Sequence, residues 1–358
     1  MNDNGEDSRM LVTALIPAHN EAATITDVIR GLQAQTRPPD RIIVIADNCT
    51  DQTPELARTA GAEVFVTVDN RDKKAGGLNQ ALDLLLPTLS ADDVILVQDA
   101  DSFLDPTFVE KGLAAYTEGV GGVGGVFRGR LDGPTRWSRV VQWFQTNEYS
   151  RYELDIRRQR GRVLVLTGTA TLLRVSILRE VIEARRSGVL PGAPQVYDTK
   201  VLTEDNELSF GLMHLGYKIK SPSGCTLTTE TMPSLRTLAQ QRLRWKRGAI
   251  ENLFDYGWSR VTAAYWGRQA LAVAGLLITA AYLTTLVWGV FLGLQLQLVW
   301  VLVTLGFSLE RVITVRRRGR LAMAIAALIV VEFVYDVFLQ GVQAVAYANA
   351  VTGKERRW

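Results

Sequence analysis

"ILVQDADSFLDP", residues 95–106, begins as a buried strand and ends in acid. Ile95, Leu96 and Val97 form an unbroken apolar run, the signature of a strand covered on both faces, as in a parallel sheet. Asp99 and Asp101 follow two apart, with the small Ala100 between them. Carboxylates are costly to bury unless something pairs with them. The pair therefore belongs at the edge of the core, where a cation or a ligand can meet it.

The chain before this stretch alternates strand and helix. "LVTALIPA" (11–18) and "RIIVIA" (41–46) read as strands, as do "EVFVTV" (63–68) and "VILVQ" (94–98). From about Glu21, Ile25, Val28, Ile29 and Leu32 fall on one face at the helical period. Thr53 reads as an N-cap with Pro54 at the first helical position and Gly61 beyond the end, and another helix is expected from about Ala75 to Leu86. Such alternation implies an α/β fold, a mostly parallel sheet with helices on both faces. Ligands of open α/β sheets bind outside the carboxyl ends of the strands. There this sequence places His19, Asn20 and Glu21, then Asp47 and Asn48, Asp69 and Asn70, and finally Asp99 and Asp101. A D-x-D pair at a strand end suits a hard divalent cation with oxygen ligands. By itself the same pattern suits a turn.

The 358 residues carry a net charge of +3 and two cysteines, Cys49 and Cys225, so there is no disulfide framework and no zinc spacing. The near-balanced charge and the absence of a recognition motif argue against nucleic-acid binding. "MNDNGEDSRM" (1–10) reads as a disordered start and not as a signal peptide. Near residue 265 the composition turns apolar, and membrane helices are expected near 271–294, 296–315 and 321–350. Between lies an amphipathic membrane-interface segment, 231–265, after a catalytic domain over 11–230. Three crossings are the preferred reading; the alternative has the third segment bending near Gly341 and returning. Glu332, Asp336, Gln340 and Gln343 share one stripe of it, for helix packing, a homo-oligomer contact or a translocation path. The basic clusters "RLRWKRG" (242–248) and "RRRGR" (316–320) place the catalytic domain on the cytoplasmic side of a cell membrane.

Six motifs occur in order: "IPAHNEAATI", "IADNCTDQT", "KKAGGLNQAL", "VQDADS", "LTEDNELS" and "QRLRW". In that order they resemble the inverting family 2 glycosyltransferases of the GT-A fold, and most closely the branch of cellulose and hyaluronan synthases. The resemblance covers roughly residues 10–250. It implies transfer of a sugar from a nucleotide-diphosphate sugar, a UDP-sugar first, to a glycan or lipid-linked acceptor at the bilayer. Glu21 and Asp47 would sit against the nucleoside, Asp99 near the ribose and diphosphate, and Lys74 at the diphosphate. Asp101, with Asp99, would hold Mg²⁺ or Mn²⁺, and Asp205 matches the general base. Glu204 and Gly168 would line the substrate site. Gln241, Arg244 and Trp245 match residues that close over diphosphate and acceptor. The chemistry suits these types: a base must take the acceptor's proton, and cations must meet the charge that develops on the diphosphate. Read without the resemblance, acids at 204 and 205 could merely complement a helix dipole. "QRLRW" points to polymer synthases, whereas a catalytic domain followed by a few helices also fits enzymes that glycosylate polyprenyl phosphate.

Gly119, Gly121 and Gly124 match G-x-G-x-x-G, but they follow a helix and lead into a strand, so close backbone packing is expected there. "WSRVVQWFQTNEYSRYELDIRRQRGR" (137–162) reads first as a partly buried helix with a solvated basic end, and otherwise as a segment on the membrane surface or lining an acceptor cleft.

Overall fold

The computed structural model describes residues 10–292 and 298–353, which divide into two compact units. The first comprises residues up to Arg128 and Ile156–Glu230, the second Gly129–Asp155 and the chain from Thr231 onward.

In the first unit the order is β1 (Val12–Ala18), α1 (Ile25–Gln33), β2 (Arg41–Ala46), α2 (Thr53–Thr59), β3 (Glu63–Val66), α3 (Lys73–Leu85) and β4 (Val94–Gln98). There follow β5 (Phe103–Leu104), α4 (Phe108–Ala114), β6 (Val120–Gly124) and β7 (Val126–Gly129). The main sheet runs β3-β2-β1-β4, all parallel, as the alternation of strand and helix requires. Val12, Ala14, Ile16 and Val44 pack with Val28, Ile29 and Leu32 of α1 and Ala57 of α2. α3 covers the other face, where a side chain at Gly77 would meet Ile45 at 3.4 Å. That two-sided cover explains the continuous apolar runs.

Thr53 does not cap α2 but is its first residue. Asp51 takes the capping role, its Oδ1 accepting from the Thr53 amide at 3.0 Å, while Thr53 Oγ1 accepts from the amide of Glu21 at 2.8 Å. The apolar periodicity before α1 likewise begins in a turn, since Ala22–Thr24 precede a helix that starts at Ile25.

After α5 (Arg136–Arg158) the chain continues with β8 (Ala170–Arg174), α6 (Val175–Arg186), α7 (Glu204–His214), β9 (Lys218–Lys220) and β10 (Thr226–Thr229). β8 joins β4 antiparallel, and β6 and β9 complete the seven strands. β5, β10 and β7 make a small second sheet. The formal G-x-G-x-x-G lies across β6, where a side chain at Gly121 would come within 2.6 Å of Tyr217 Cβ, so close packing accounts for it.

The expected continuous domain over 11–230 is interrupted, because most of α5 clusters with the C-terminal helices: Val141 packs with Leu238 and Tyr335. The second unit adds α8 (Leu235–Tyr256), α9 (Ala263–Leu292), α10 (Leu298–Val315), α11 (Arg320–Ala327) and α12 (Ile329–Val351). Among the described residues one helix is long and apolar enough to cross a membrane, Ala263–Gly289. The third expected span is two helices meeting at 73°, and the break falls at Leu328 and not near Gly341. Three residues of its polar stripe are engaged within the unit. Glu332 accepts from Asn147 at 2.9 Å and Arg151 at 3.1 Å, Asp336 from Arg311 at 2.5 Å, and Gln343 from Lys246 at 2.7 Å.

Candidate functional site

Asn20, Asn48 and Asp69 follow β1, β2 and β3 and take φ of 58°, 49° and 48°. Asn and Asp tolerate this left-handed backbone better than other non-glycine residues. Each reversal leaves polar groups at the carboxyl edge of the sheet. Asn20 Oδ1 accepts from the Thr50 amide at 2.8 Å and ties two of these loops together. Asp47 is buried, and its Oδ1 accepts from Asn48 Nδ2 (3.1 Å), Thr67 Oγ1 (2.8 Å) and Asn70 Nδ2 (2.8 Å). A carboxylate anchored through one oxygen keeps the other for a ligand's N–H.

α3 begins at this edge. The helix sits so close to Asn70 that a side chain at Gly76 would overlap its Oδ1 at 2.1 Å, so the glycine of "KKAGG" permits the approach. One residue into the helix, Lys74 Nζ donates to Asp99 Oδ1 at 2.5 Å and to the carbonyl of Gly168 at 2.9 Å, and lies 3.8 Å from Glu204. Burial works against its charge, but Asp99 and Glu204 overcome this, and the ammonium holds its proton more firmly than an ordinary lysine. Asp101 Oδ1 receives the hydroxyl of Ser102 at 3.0 Å. Glu21 is half-buried, with its carboxyl raised first by desolvation, against a bond from Thr24, and then by the charges of Asp101, Glu230 and Asp99.

Asp205, in the first turn of α7, takes the Gly168 amide on Oδ2 and the Asn206 amide on Oδ1, both at 2.8 Å. Its carboxyl is pushed up to about 6, chiefly by desolvation and then by Glu204, with Lys74 and the two amides opposing. The dipole of α7 is thus not the whole story, since acids that merely complemented it would be held below their ordinary value. Lys74, Glu204, Asp205, Gly168 and Tyr197 line one cleft.

Sequence reasoning missed Tyr197. Asn79 holds it in place, donating to its carbonyl at 2.8 Å and accepting from its amide at 3.0 Å. A polar residue buried in α3 was the one available signal. Gln241, Arg244 and Trp245 lie together on α8, in the second unit, with Arg244 exposed and the other two half-buried.

The acids at the strand ends are hard oxygen donors. Among the described residues no three acid, histidine or cysteine side chains converge as a complete metal site. Asp99 and Asp101 therefore fit an ion that takes one or two carboxylates and completes its shell with phosphate oxygens and water, the habit of Mg²⁺.

The sequence model described as "Glycosyltransferase like family 2" matches residues 9–248. The chain belongs to this family. The transferase is 27% identical over 251 residues to the poly-beta-1,6-N-acetyl-D-glucosamine synthase of Staphylococcus aureus, covering 68% of this chain and 55% of that one. To the enzyme of the same name from Staphylococcus epidermidis it is 24% identical over 259 residues, 70% of this chain and 57% of the relative. The chain spans about half the length of the curated relatives it matches. In structure it is similar to the mannosyltransferase PcManGT from Pyrobaculum calidifontis, solved with GDP-Man and Mn²⁺. That likeness has a TM-score of 0.56 at 17% identity, over 96% of this chain and 88% of the other. The expected GT-A-like α/β fold is therefore correct.

Proposed function

We propose that the transferase is membrane-anchored, metal-dependent and inverting, and moves a sugar from a UDP-sugar to a glycan acceptor at the cytoplasmic membrane face. N-acetylglucosamine, the unit named in the relatives' product, is the first sugar to try. The observation that carries this reading is the cleft itself, where a carboxyl raised to about 6 stands beside a lysine paired to Asp99 at the end of β4.

Asp205 takes the proton of the acceptor hydroxyl as its oxygen bonds to the anomeric carbon. The bond from that carbon to the diphosphate breaks, and the nucleoside diphosphate leaves with the electron pair. Attack opposite the leaving group inverts the anomeric centre. Lys74 meets the charge that develops on the diphosphate, while Asp47 and Glu21 hold the nucleoside. Asp99 and Asp101 would hold Mg²⁺ or Mn²⁺, which supplies further positive charge to the leaving group. Glu204 steadies Lys74. The helix Ala263–Gly289, 27 residues with no buried position in its apolar window, supports anchoring; at ~1.5 Å per residue it exceeds the ~30 Å hydrocarbon core. "RLRWKRG" and "RRRGR" support a cytoplasmic catalytic unit.

Purified protein in native lipid with Mn²⁺, offered radiolabelled UDP-, GDP- and TDP-sugars, tests the reading. UDP-N-acetylglucosamine is expected to label a large, water-soluble, glycosidase-sensitive product. Label confined to a small, chloroform-soluble, mild-acid-labile product means single transfer to a lipid phosphate and overturns the glycan acceptor. No transfer from any donor overturns the whole reading.

Gly168 offers a finer check. A side chain there would lie 3.0 Å from Asp205 Oδ2, the oxygen that the Gly168 amide holds. Gly168→Ala must displace the carboxylate by a few tenths of an ångström. Steady-state kinetics should show kcat falling about tenfold, with the donor KM within about twofold of wild type, because small misplacement of a reacting group costs rate more than binding.

A further inference from the structure

Arg242 of "QRLRW" has no role in the reading above, yet it is only 2% exposed. A buried guanidinium must be paired, and both terminal nitrogens of this one are. It donates to Glu148 Oε2 at 3.1 Å, and Glu148 Oε2 also accepts from the hydroxyl of Tyr335 at 3.2 Å. It donates as well to Oε1 of Gln241 at 2.6 Å, and its plane lies over the indole of Trp245, 4.4 Å from the ring centroid. Gln241 beside it and Trp245 three residues on thus both take their side-chain setting from one cation.

The contact with Gln241 has a chemical consequence. Arginine carries donors and no acceptor, so only the carbonyl oxygen of the amide can face it. The amide's orientation is then fixed, and its two N–H donors are left on the other side. Donors suit the oxygens of a diphosphate. The stacked guanidinium likewise covers one face of the indole and restrains its rotamer, which leaves the other face for a ligand.

We propose that Arg242 is a positioning residue that presets the Gln241 amide for the diphosphate of the donor and the Trp245 indole for the acceptor, with Glu148 holding Arg242 in place. This rests on the reading that the motif contacts the nucleoside diphosphate.

The test is calorimetric binding of UDP and of GDP, each with Mn²⁺, to the full chain in lipid nanodiscs. Gln241→Ala is expected to weaken the tighter nucleotide about tenfold, the scale of one hydrogen bond to a charged group. Arg242→Lys keeps the charge but loses the planar fork, and should weaken it similarly. The double variant should bind no worse than either single one, since both remove the same donors and coupled residues are not additive. Glu148→Gln, which keeps an acceptor but removes the counter-charge, should cost about threefold, and this loss too should vanish in the Gln241→Ala background. It serves equally if Arg242→Lys does not fold. Losses that multiply in the double variants, or an Arg242→Lys protein that binds like wild type, overturn the proposal and leave the motif reading standing. If Gln241→Ala binds like wild type, or wild type binds neither nucleotide, the motif reading falls and takes the proposal with it.

Discussion

Asp205→Asn is expected to lower the transfer rate at pH 7.5 by about 10²–10⁴-fold, the range supplied by a positioned general base. Asparagine keeps one acceptor oxygen for the two backbone amides that Asp205 holds and turns its NH2 toward the other, and it cannot take the acceptor's proton. Binding of UDP with Mn²⁺ should be unchanged within about threefold, because Lys74 and the strand-end acids remain. Stability supplies an independent sign. The folded carboxyl titrates near 6 and an ordinary one near 3.8, so the folded state holds the proton more tightly. That contribution favours folding below about pH 4 and is lost as pH climbs through 6. At pH 8 the ionised side chain is a burden to the fold, so the melting deficit that the lost amide bond gives the variant should be smaller at pH 8 than at pH 5. A transfer rate within threefold of wild type would remove Asp205 from the chemistry. It would favour an acceptor that needs no strong base, such as a lipid phosphate.

Lys74→Met is the second large effect. The methionine preserves much of the apolar stem but leaves Asp99 and Glu204 without their cation, at 2.5 Å and 3.8 Å in the native cleft. In the proposed mechanism Lys74 meets the leaving diphosphate, and removing such a charge should cost about 10²–10³ in kcat/KM. Because Lys74 lowers the Asp205 carboxyl, the substitution also raises it, so the acid limb of the pH profile moves to higher pH. Stability should fall too, since Asp99 and Glu204 keep their repulsion and lose its relief. Steady-state kinetics at three pH values and a melting curve read all of these effects. A loss in rate without the shift in the acid limb would mean that Lys74 acts on the donor alone and not on the base.

Much of this was legible in the sequence for a definite physical reason. The parallel strands are buried on both sides, so their apolar runs are unbroken, and β4 falls at 94–98 as read. Polar residues after each strand marked the ligand edge because the backbone reverses there, at Asn20, Asn48 and Asp69. What stayed hidden was set at long range. No local signal says that Lys74 meets Asp99 25 positions away, or that Gly168 and Asp205 share a hydrogen bond across 37. A helix within 137–162 was expected and is found at 136–158, but its place mostly in the C-terminal unit was not, since that depends on Val141 meeting Leu238 and Tyr335. Leu328, where the third apolar segment breaks, is neither glycine nor proline and gave no warning. Tyr197 and Arg242 sit in segments whose polarity is ordinary, and only their partners give them importance.

The account stands most directly on the pH dependence of kcat/KM for sugar transfer, measured from pH 5 to 8 at saturating Mn²⁺ with the donor identified by labelling. This quantity reports the essential groups of the free enzyme, the state in which Asp205 lies near 6. The account predicts a rate that falls tenfold per pH unit below about 6 and levels off above it, with the limb absent from the residual activity of Asp205→Asn. A rate flat across the whole range, or the same limb in both proteins, would contradict it.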